Sequence, residues 1–304
     1  MFKNLNASAL GVTGHQSEII ELALTYGFRG LDGDILEIAS RAKLRGMPYA
    51  RRLIDSAKAR VGTFQIGTFR LPLDWDTDDE VFKPKLEKLP EYAEVAAEMG
   101  CTRCLATIQP AGDKRPYHEN FEFHRRRFGE ICKAMEPFGV RLGVGFRAAE
   151  GLRRSQAFQF IHDLDALSLL VNMIDAPNLG VLLDVWDLHV SGGSVESVRG
   201  LSAEKIVAVQ LADVPGGDTP LSELSEASRR LPAAEGGIDL PAYLVALAEL
   251  GYDGPVTYKP DRSVFSGMRR DPIVKKVGDI LSRAREAAGL TLDGKLKQPA
   301  PAES

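Results

Sequence analysis

One phrase recurs along the chain: a helical run ends at a glycine and is followed at once by a short apolar stretch. It appears at residues 22–32, 96–107, 134–144 and 246–258. A glycine there can take a left-handed conformation that ends the helix, and the apolar stretch is typical of a buried parallel strand. Repetition of this junction predicts an α/β fold in which helices and strands alternate.

Eight strand candidates can be placed, with helix candidates between them. The strands are expected near residues 6–12, 28–33, 61–67, 102–108, 140–146, 179–184, 205–211 and 255–259. The helices are expected near residues 17–26, 36–58, 78–99, 119–137, 156–173, 194–200, 239–250 and 271–287. This alternation predicts a single closed (β/α)8 barrel, the TIM barrel. An open doubly wound sheet is the rival, but Gly11 and Gly14 do not complete its phosphate-binding fingerprint.

The barrel is assigned to residues 1–290. Residues 291–304 are polar, lack an apolar period and are predicted to form a flexible tail.

Composition excludes several classes of protein. The 38 Lys and Arg residues and 42 Asp and Glu residues give a net charge of −4, which argues against a nucleic-acid partner. No apolar run approaches the length of about 18 residues that crosses a membrane, and the first residues do not spell a secretory signal. Cys101, Cys104 and Cys132 are few and odd in number, as in a reducing compartment, and are interpreted as buried structural cysteines. We therefore expect a cytoplasmic protein without a membrane partner.

Polar residues follow most of the predicted strands. In a closed parallel barrel the functional site lies at the C-terminal ends of the strands, so these residues are the site candidates. They include Asp32, Gln109, Arg147, Asp184, Asp187, Gln210 and Lys259. A buried polar group needs a hydrogen-bond partner, so this density favours a working pocket over a plain core.

Three phrases carry a resemblance to a known family. They are LLDVWDLH, which lies between Asn178 and Gly193, KIVAVQLAD, which lies between Ala203 and Gly217, and the junction GYDGPV. In these phrases the chain resembles the xylose isomerase-like TIM barrels, the group of sugar phosphate isomerases and epimerases. The resemblance covers residues 6–287 and implies a small sugar or polyol as the substrate. It also implies an activity that moves a proton between carbons.

The resemblance further implies one divalent metal, Mn²⁺, Mg²⁺ or Co²⁺, held at the ends of the fifth to eighth strands. Carried over to this sequence, the four ligand positions fall on Gly145, Asp184, Gln210 and Lys259. Asp184 and Gln210 can bind a metal, with Asp187 as a replacement ligand. Gly145 has no side chain to offer, and the ammonium of Lys259 repels a cation. The usual four-ligand site is therefore predicted to be absent, with either no metal or a weakly bound one.

Roles can be assigned to the candidates in this framework. Lys259, Asp184 and Asp187 are the catalytic candidates. Lys259 has three open interpretations: a salt bridge near Asp184 in place of the metal, a base or Schiff-base former, or a cation that polarises a substrate oxygen. The candidates for substrate binding are Gln210, Trp186, Arg147, Gln109, Asp32 and Glu235. For Trp186, stacking on a sugar and packing behind the strand are both open.

Two functions remain open from sequence. The first is an isomerase or epimerase that acts on a small polyol, ketose or keto-sugar with an altered site that can work without metal; a lyase or dehydratase is less favoured. The second is a non-catalytic sugar-binding or regulatory barrel, or a complex subunit. An endonuclease of the same superfamily is disfavoured because histidines are few and the charge is negative. A homo-oligomer is compatible with the family resemblance.

Overall fold

The computed structural model describes residues 1–233 and 236–297 and contains a closed barrel of eight parallel strands. The barrel strands are β1 (Phe2–Leu5), β2 (Gly30–Gly33), β3 (Gln65–Arg70), β4 (Arg103–Thr107), β5 (Arg141–Gly145), β6 (Leu179–Asp184), β7 (Ile206–Leu211) and β8 (Pro255–Tyr258). Each strand pairs with its neighbours in sequence, and β1 pairs with β8 to close the barrel. The predicted single (β/α)8 barrel is confirmed.

Helices surround the barrel. They are α1 (Gln16–Thr25), α2 (Ile35–Arg45), α3 (Met47–Val61), α4 (Asp79–Leu86), α5 (Leu89–Glu98), α6 (Tyr117–Met135), α7 (Leu164–Met173), α8 (Val185–Val190), α9 (Val195–Arg199), α10 (Leu240–Glu249) and α11 (Arg270–Ala287). Within the described residues, no helix is both long enough and apolar enough to cross a membrane.

The four junction glycines have the predicted left-handed backbone. Their φ values are +72° at Gly27 and Gly100, +65° at Gly139 and +80° at Gly251. At Gly27 the next N–H, that of Phe28, donates to the carbonyl of Ala23 at 2.9 Å, so the helix ends there and the strand begins three residues later, at Gly30. The recurring phrase in the sequence is therefore the physical basis of the alternation.

The first strand was predicted in the wrong place. It spans Phe2–Leu5, whereas residues 6–12 form a turn. The side-chain oxygen of Asn6 accepts hydrogen bonds from Ser8 Oγ and Ala9 N, each at 2.9 Å, and this bends the chain out of the strand. The apolar pattern of this turn reflects loop residues that are buried in the core.

Three predicted helices were also too long. The run 78–99 is divided into α4 and α5. The run 36–58 is two helices, α2 and α3, because Gly46 between them has a φ of +82°. The run 156–173 becomes helical only at Leu164, where Asp163 caps the helix by accepting from the N–H of Ala166 at 2.8 Å.

The start of the predicted tail folds back on the barrel. The N–H of Lys297 donates to the carbonyl of Gly289 at 2.9 Å, and the amino group of Met1 donates to the carbonyl of Asp293 at 3.3 Å. Residues 298–304 of the tail lie outside the described residues.

The three cysteines are buried and not joined by a disulfide. Burial raises the pKa of the Cys101 thiol to about 12, as expected of a cysteine that packs in the core rather than reacting. This agrees with the structural interpretation of these residues.

Candidate functional site

Strand register brings polar residues from four strands side by side at the barrel mouth. In order across β6, β7, β8 and β1 they are Asp184, Gln210, Thr257 and Asn4. Asp32 of β2 lies opposite Thr68 of β3 in the same way. Two groups of charged residues form around this row, and they differ in how their charges are paired.

The first group, the Arg229 cluster, consists of Asp184, Asp187, Glu226 and Arg229. Arg229 Nη1 donates to both oxygens of Asp184, at 3.0 Å and 2.9 Å, and Nη2 donates to Asp187 Oδ2 at 2.5 Å. Its Nε donates to Glu226 Oε2 at 3.0 Å. Arg229 is only 3% exposed, so the guanidinium and its two aspartates form a buried charge network.

Backbone groups occupy further acceptor sites on the two aspartates. Asp184 Oδ1 caps α8 by accepting from the N–H groups of Trp186 at 3.1 Å and Asp187 at 3.3 Å. Asp187 Oδ1 accepts from the N–H of Ala148 at 2.8 Å. Both carboxylates therefore have partners at each oxygen, as buried charges require.

The charged groups in this cluster shift one another's pKa values. Burial, together with the nearby carboxylate of Asp184, raises the pKa of Asp187, while the guanidinium of Arg229 opposes the rise. For Arg229, burial acts to lower the pKa, but the two aspartates outweigh burial and raise it. Arg229 therefore keeps its positive charge at the centre of the cluster.

Two backbone contacts fix Arg229, which comes from the long loop between β7 and α10. Its carbonyl accepts from the N–H of Asp261, just after β8, at 3.0 Å. The next residue, Arg230, exchanges two 2.8 Å backbone hydrogen bonds with Asp213, just after β7. The loop thus holds the guanidinium over the ends of two strands.

Sequence reasoning missed Arg229 because it follows no strand and belongs to no apolar pattern. The available signal was indirect. Asp184 and Asp187 lie three residues apart after a wholly buried strand, and two buried carboxylates require a cation.

The second group, the Asp32–Lys259 cluster, consists of Asn4, Asp32, Thr68, Gln210 and Lys259. Asp32 Oδ1 accepts from Thr68 Oγ1 at 2.6 Å and from Asn4 Nδ2 at 2.5 Å. Lys259 Nζ donates to Gln210 Oε1 at 3.1 Å. Asp32 and Lys259 are both partly exposed, unlike the charged centre of the Arg229 cluster.

The carboxyl group of Asp32 is poised to titrate. Burial raises its pKa from 3.8 to about 6, although hydrogen bonds from Thr68 and Asn4 and the charge of Lys259 all act to lower it. A carboxyl group with this pKa can both accept and release a proton near neutral pH.

The predicted pairing of Lys259 with Asp184 is replaced by a different arrangement. Asp184 pairs with Arg229, while Lys259 contacts Gln210 and lies close enough to Asp32 to lower the pKa of that carboxyl. Arg229 therefore holds the central position that sequence reasoning gave to Lys259, because its fork of N–H donors matches carboxylates better than an ammonium does.

The predicted substrate-binding residues are not all brought together. Trp186 is fully buried, and Arg229 lies over its ring with Cζ 4.3 Å from the centroid, so its face is not available to a sugar. Arg147 reaches the edge of the Arg229 cluster, with Nη2 3.3 Å from Glu226 Oε2. Gln109 lines a separate cavity of 140 Å³ with Trp75. Glu235 lies outside the described residues.

The residues at the family's ligand positions do not fit a divalent metal. A Cβ at Gly145 would lie 3.2 Å from Leu182 Cδ2, so that position is filled by packing. Asp184 is bound to Arg229, and the Gln210 oxygen accepts from Lys259. Within residues 1–233 and 236–297, no group of three or more His, Cys, Asp or Glu side chains is placed to hold a metal.

Comparison with known proteins gives the class to which this fold and site belong. The family model for the xylose isomerase-like TIM barrel matches residues 20–278, and the chain therefore belongs to that family.

Sequence identity to individual relatives is low. The chain is 28% identical to the inosose isomerase of Bacillus subtilis (strain 168) over 158 residues. That match covers 51% of this chain and 53% of the relative, so the chain spans about half the length of the relative it matches.

Two solved structures share the fold. A xylose isomerase domain protein from Alicyclobacillus acidocaldarius has a TM-score of 0.83 at 22% identity, covering 95% of this chain and 99% of that one. The IOLI protein, solved with a binding zinc atom, has a TM-score of 0.72 at 17% identity, covering 95% and 98%. A member of this fold can thus hold a divalent metal.

Proposed function

We propose that the barrel mouth binds a small polyol, ketose or keto-sugar and isomerises or epimerises it by moving a proton. The observation that carries this proposal is the Asp32–Lys259 cluster. It combines a carboxyl group whose pKa is about 6 with a neighbouring ammonium, both partly exposed at the strand ends of the barrel. The similarity to an inosose isomerase supports the same class of substrate.

The proposed reaction needs a base and a cation. A C–H bond next to the substrate carbonyl breaks, its proton passes to Asp32, and the electron pair moves onto the carbonyl oxygen. Lys259 stabilises the negative oxygen by hydrogen bonding. In isomerisation, the hydroxyl proton on the carbon that lost its hydrogen moves to the former carbonyl oxygen, Asp32 gives its proton to the former carbonyl carbon, and the carbonyl re-forms at the first carbon. In epimerisation, water delivers a proton to the opposite face of the carbon that lost its hydrogen, and Asp32 releases its own proton to solvent.

Lys259 has the donors for this role. An ammonium group has three N–H donors, and within the described residues Gln210 is its acceptor. Gln210 thereby orients the ammonium while leaving donors for a substrate oxygen. Asn4 and Thr68 orient Asp32 in the same way, through two hydrogen bonds to one oxygen.

Asp184 and Asp187 take a different part in this proposal. Each oxygen of their carboxylates already has a donor, and a buried guanidinium binds both groups. We assign them to holding Arg229, while Asp32 acts as the base. The catalytic pair that we propose is therefore Lys259 and Asp32.

Hydrogen–deuterium exchange tests the proposal directly. Inosose and a panel of ketohexoses are incubated with the protein in D₂O, and deuterium entering next to the carbonyl is followed by ¹H NMR. We expect exchange with at least one of these ketones. Asp32→Asn should slow it about 100-fold or more, since a general base typically contributes that much. Lys259→Met should also slow it about 100-fold.

Two matched controls remove the same groups from the surface. Asp55→Asn on α3 and Lys275→Met on α11 delete partners of exposed ion pairs and should leave the exchange rate unchanged. Wild-type exchange rates in Asp32→Asn would refute its role as the base. If the wild type exchanges none of the ketones but they raise its melting temperature, the non-catalytic sugar-binding barrel is the better description.

A further inference from the structure

Asp184 stands at a strand end to which the family resemblance assigns a metal ligand, and it binds a cation that belongs to the chain itself. We propose that the Arg229 guanidinium is the resident cation of the Asp184 site and that it keeps divalent metals out of it. This inference rests on the Arg229 cluster and not on the proposed reaction.

The guanidinium uses the lone pairs that a metal would need. All three of its nitrogens are used: Nη1 binds Asp184, Nη2 binds Asp187 and Nε binds Glu226. Divalent ions such as Mn²⁺ and Mg²⁺ require several free oxygen ligands. These three carboxylates are such ligands, and each is already bound to the same cation.

Several contacts hold Arg229 in the site. Its planar group lies 4.3 Å from the ring centroid of the buried Trp186, and its backbone is tied to the loop after β8 by Asp261. Departure would leave Asp184 and Asp187 buried without a counter-charge, which is strongly unfavourable. A metal could bind only if its own binding free energy exceeded the cost of displacing Arg229.

The other two ligand positions reinforce the exclusion. Gln210 presents its oxygen to the ammonium of Lys259, and Gly145 faces the packed side chain of Leu182. A metal at this place would therefore meet one cation at Arg229 and a second at Lys259. Two side-chain cations thus lie at the end of the barrel where the family resemblance places a metal.

Removal of the guanidinium should allow the cluster to bind a divalent metal. Without Arg229, the three carboxylates Asp184, Asp187 and Glu226 keep one cation in contact, Arg147 at Glu226, among the described residues. An oxygen-rich, negatively charged group of this kind suits a hard divalent cation. The three carboxylates are not placed to hold a metal together while Arg229 lies between them. We therefore expect Arg229→Ala to gain a metal site as these side chains move toward the space that the guanidinium leaves.

Manganese binding is the test. Protein purified without chelators or metal-binding tags is analysed for elemental content and titrated with MnCl₂ by calorimetry. We expect the wild type to hold far less than one equivalent of metal, and Arg229→Ala to bind Mn²⁺ at least about tenfold more tightly, a difference of about 1.4 kcal/mol. Arg229→Ala combined with Asp184→Asn should lose the gain, and the surface variant Arg199→Ala should behave as the wild type.

Each outcome decides the inference. Near-stoichiometric metal in the wild type, or a wild-type melting temperature that EDTA lowers, would overturn it. So would a folded Arg229→Ala that takes up no more Mn²⁺ than the wild type. If Arg229→Ala is unfolded alone, Mn²⁺ must restore its circular dichroism while the double variant stays unfolded; failure of that rescue also overturns the inference.

Discussion

The Arg229 cluster and the Asp32–Lys259 cluster lie at the same end of one barrel and contain similar side chains. In the first, a buried guanidinium makes three contacts with two buried carboxylates, and a backbone N–H binds one of them as well. In the second, the carboxyl and the ammonium each bind neutral groups and remain partly exposed. Charges that are fully paired with each other stabilise a geometry, whereas charges held by neutral neighbours keep the capacity to act on a ligand.

The largest effect expected from this difference is on stability. Arg229→Ala removes the counter-charge of Asp184 and Asp187 and should lower the free energy of unfolding by about 3–5 kcal/mol, the usual result of breaking a buried pair from one side. Urea unfolding followed by circular dichroism measures it.

Two controls make that result specific. Arg199→Ala removes an exposed arginine that pairs with Glu196 and Glu249, and should lower stability by less than about 1 kcal/mol. Asp184→Asn and Asp187→Asn combined with Arg229→Met removes all the buried charge of the three residues and should be more stable than Arg229→Ala. If Arg229→Ala loses no more than Arg199→Ala, the cluster does not stabilise the fold as argued here.

The Asp32–Lys259 cluster should make the free energy of unfolding depend on pH. The pKa of Asp32 is about 6 in the folded chain against an ordinary value of 3.8, so the folded chain holds this proton more tightly than the unfolded chain. The stabilisation is complete below about pH 4 and is lost as the pH rises through about 6. The loss amounts to about 3 kcal/mol, at about 1.4 kcal/mol per pKa unit.

Asp32→Asn isolates this contribution because it cannot titrate. The difference in unfolding free energy between the wild type and Asp32→Asn should change by about 2.5 kcal/mol between pH 4 and pH 7, in the direction that disfavours the wild type at high pH. Other titrating groups act equally on both proteins and cancel. A pH-independent difference would contradict the raised pKa. Asp55→Asn, the matched surface substitution, should keep the wild-type slope.

The fold could be predicted from sequence because its signals are local. The left-handed glycines at Gly27, Gly100, Gly139 and Gly251 each end a helix within a few residues of the strand that follows. The first strand was predicted at the wrong residues because β1 is only four residues long. The turn at Asn6 follows it immediately and contains a second apolar run. A short strand beside a buried turn has no local signal that separates the two.

The site could be predicted only in part because its decisive contacts are not local. Asp32, Asp184, Gln210 and Lys259 were found because each lies at or next to the end of a strand. Arg229 lies 45 residues from Asp184 along the chain and reaches it from a loop with no periodic pattern. The sequence therefore indicates which carboxylates are buried at the strand ends, and the tertiary structure determines which cation each one meets.

The smallest expected effect tests whether Lys259 and Asp32 act as a pair. Thr68 and Asn4 lower the pKa of Asp32 more than Lys259 does. ¹³C NMR titration of the Asp32 carboxyl should therefore show a clear rise of its pKa in Thr68→Val and a smaller rise in Lys259→Met, with no change in Lys275→Met. An unchanged pKa in Lys259→Met would mean that the ammonium is too distant or too well solvated to influence the carboxyl. The proposed base and cation would then be unrelated side chains, and the two clusters would differ in exposure alone.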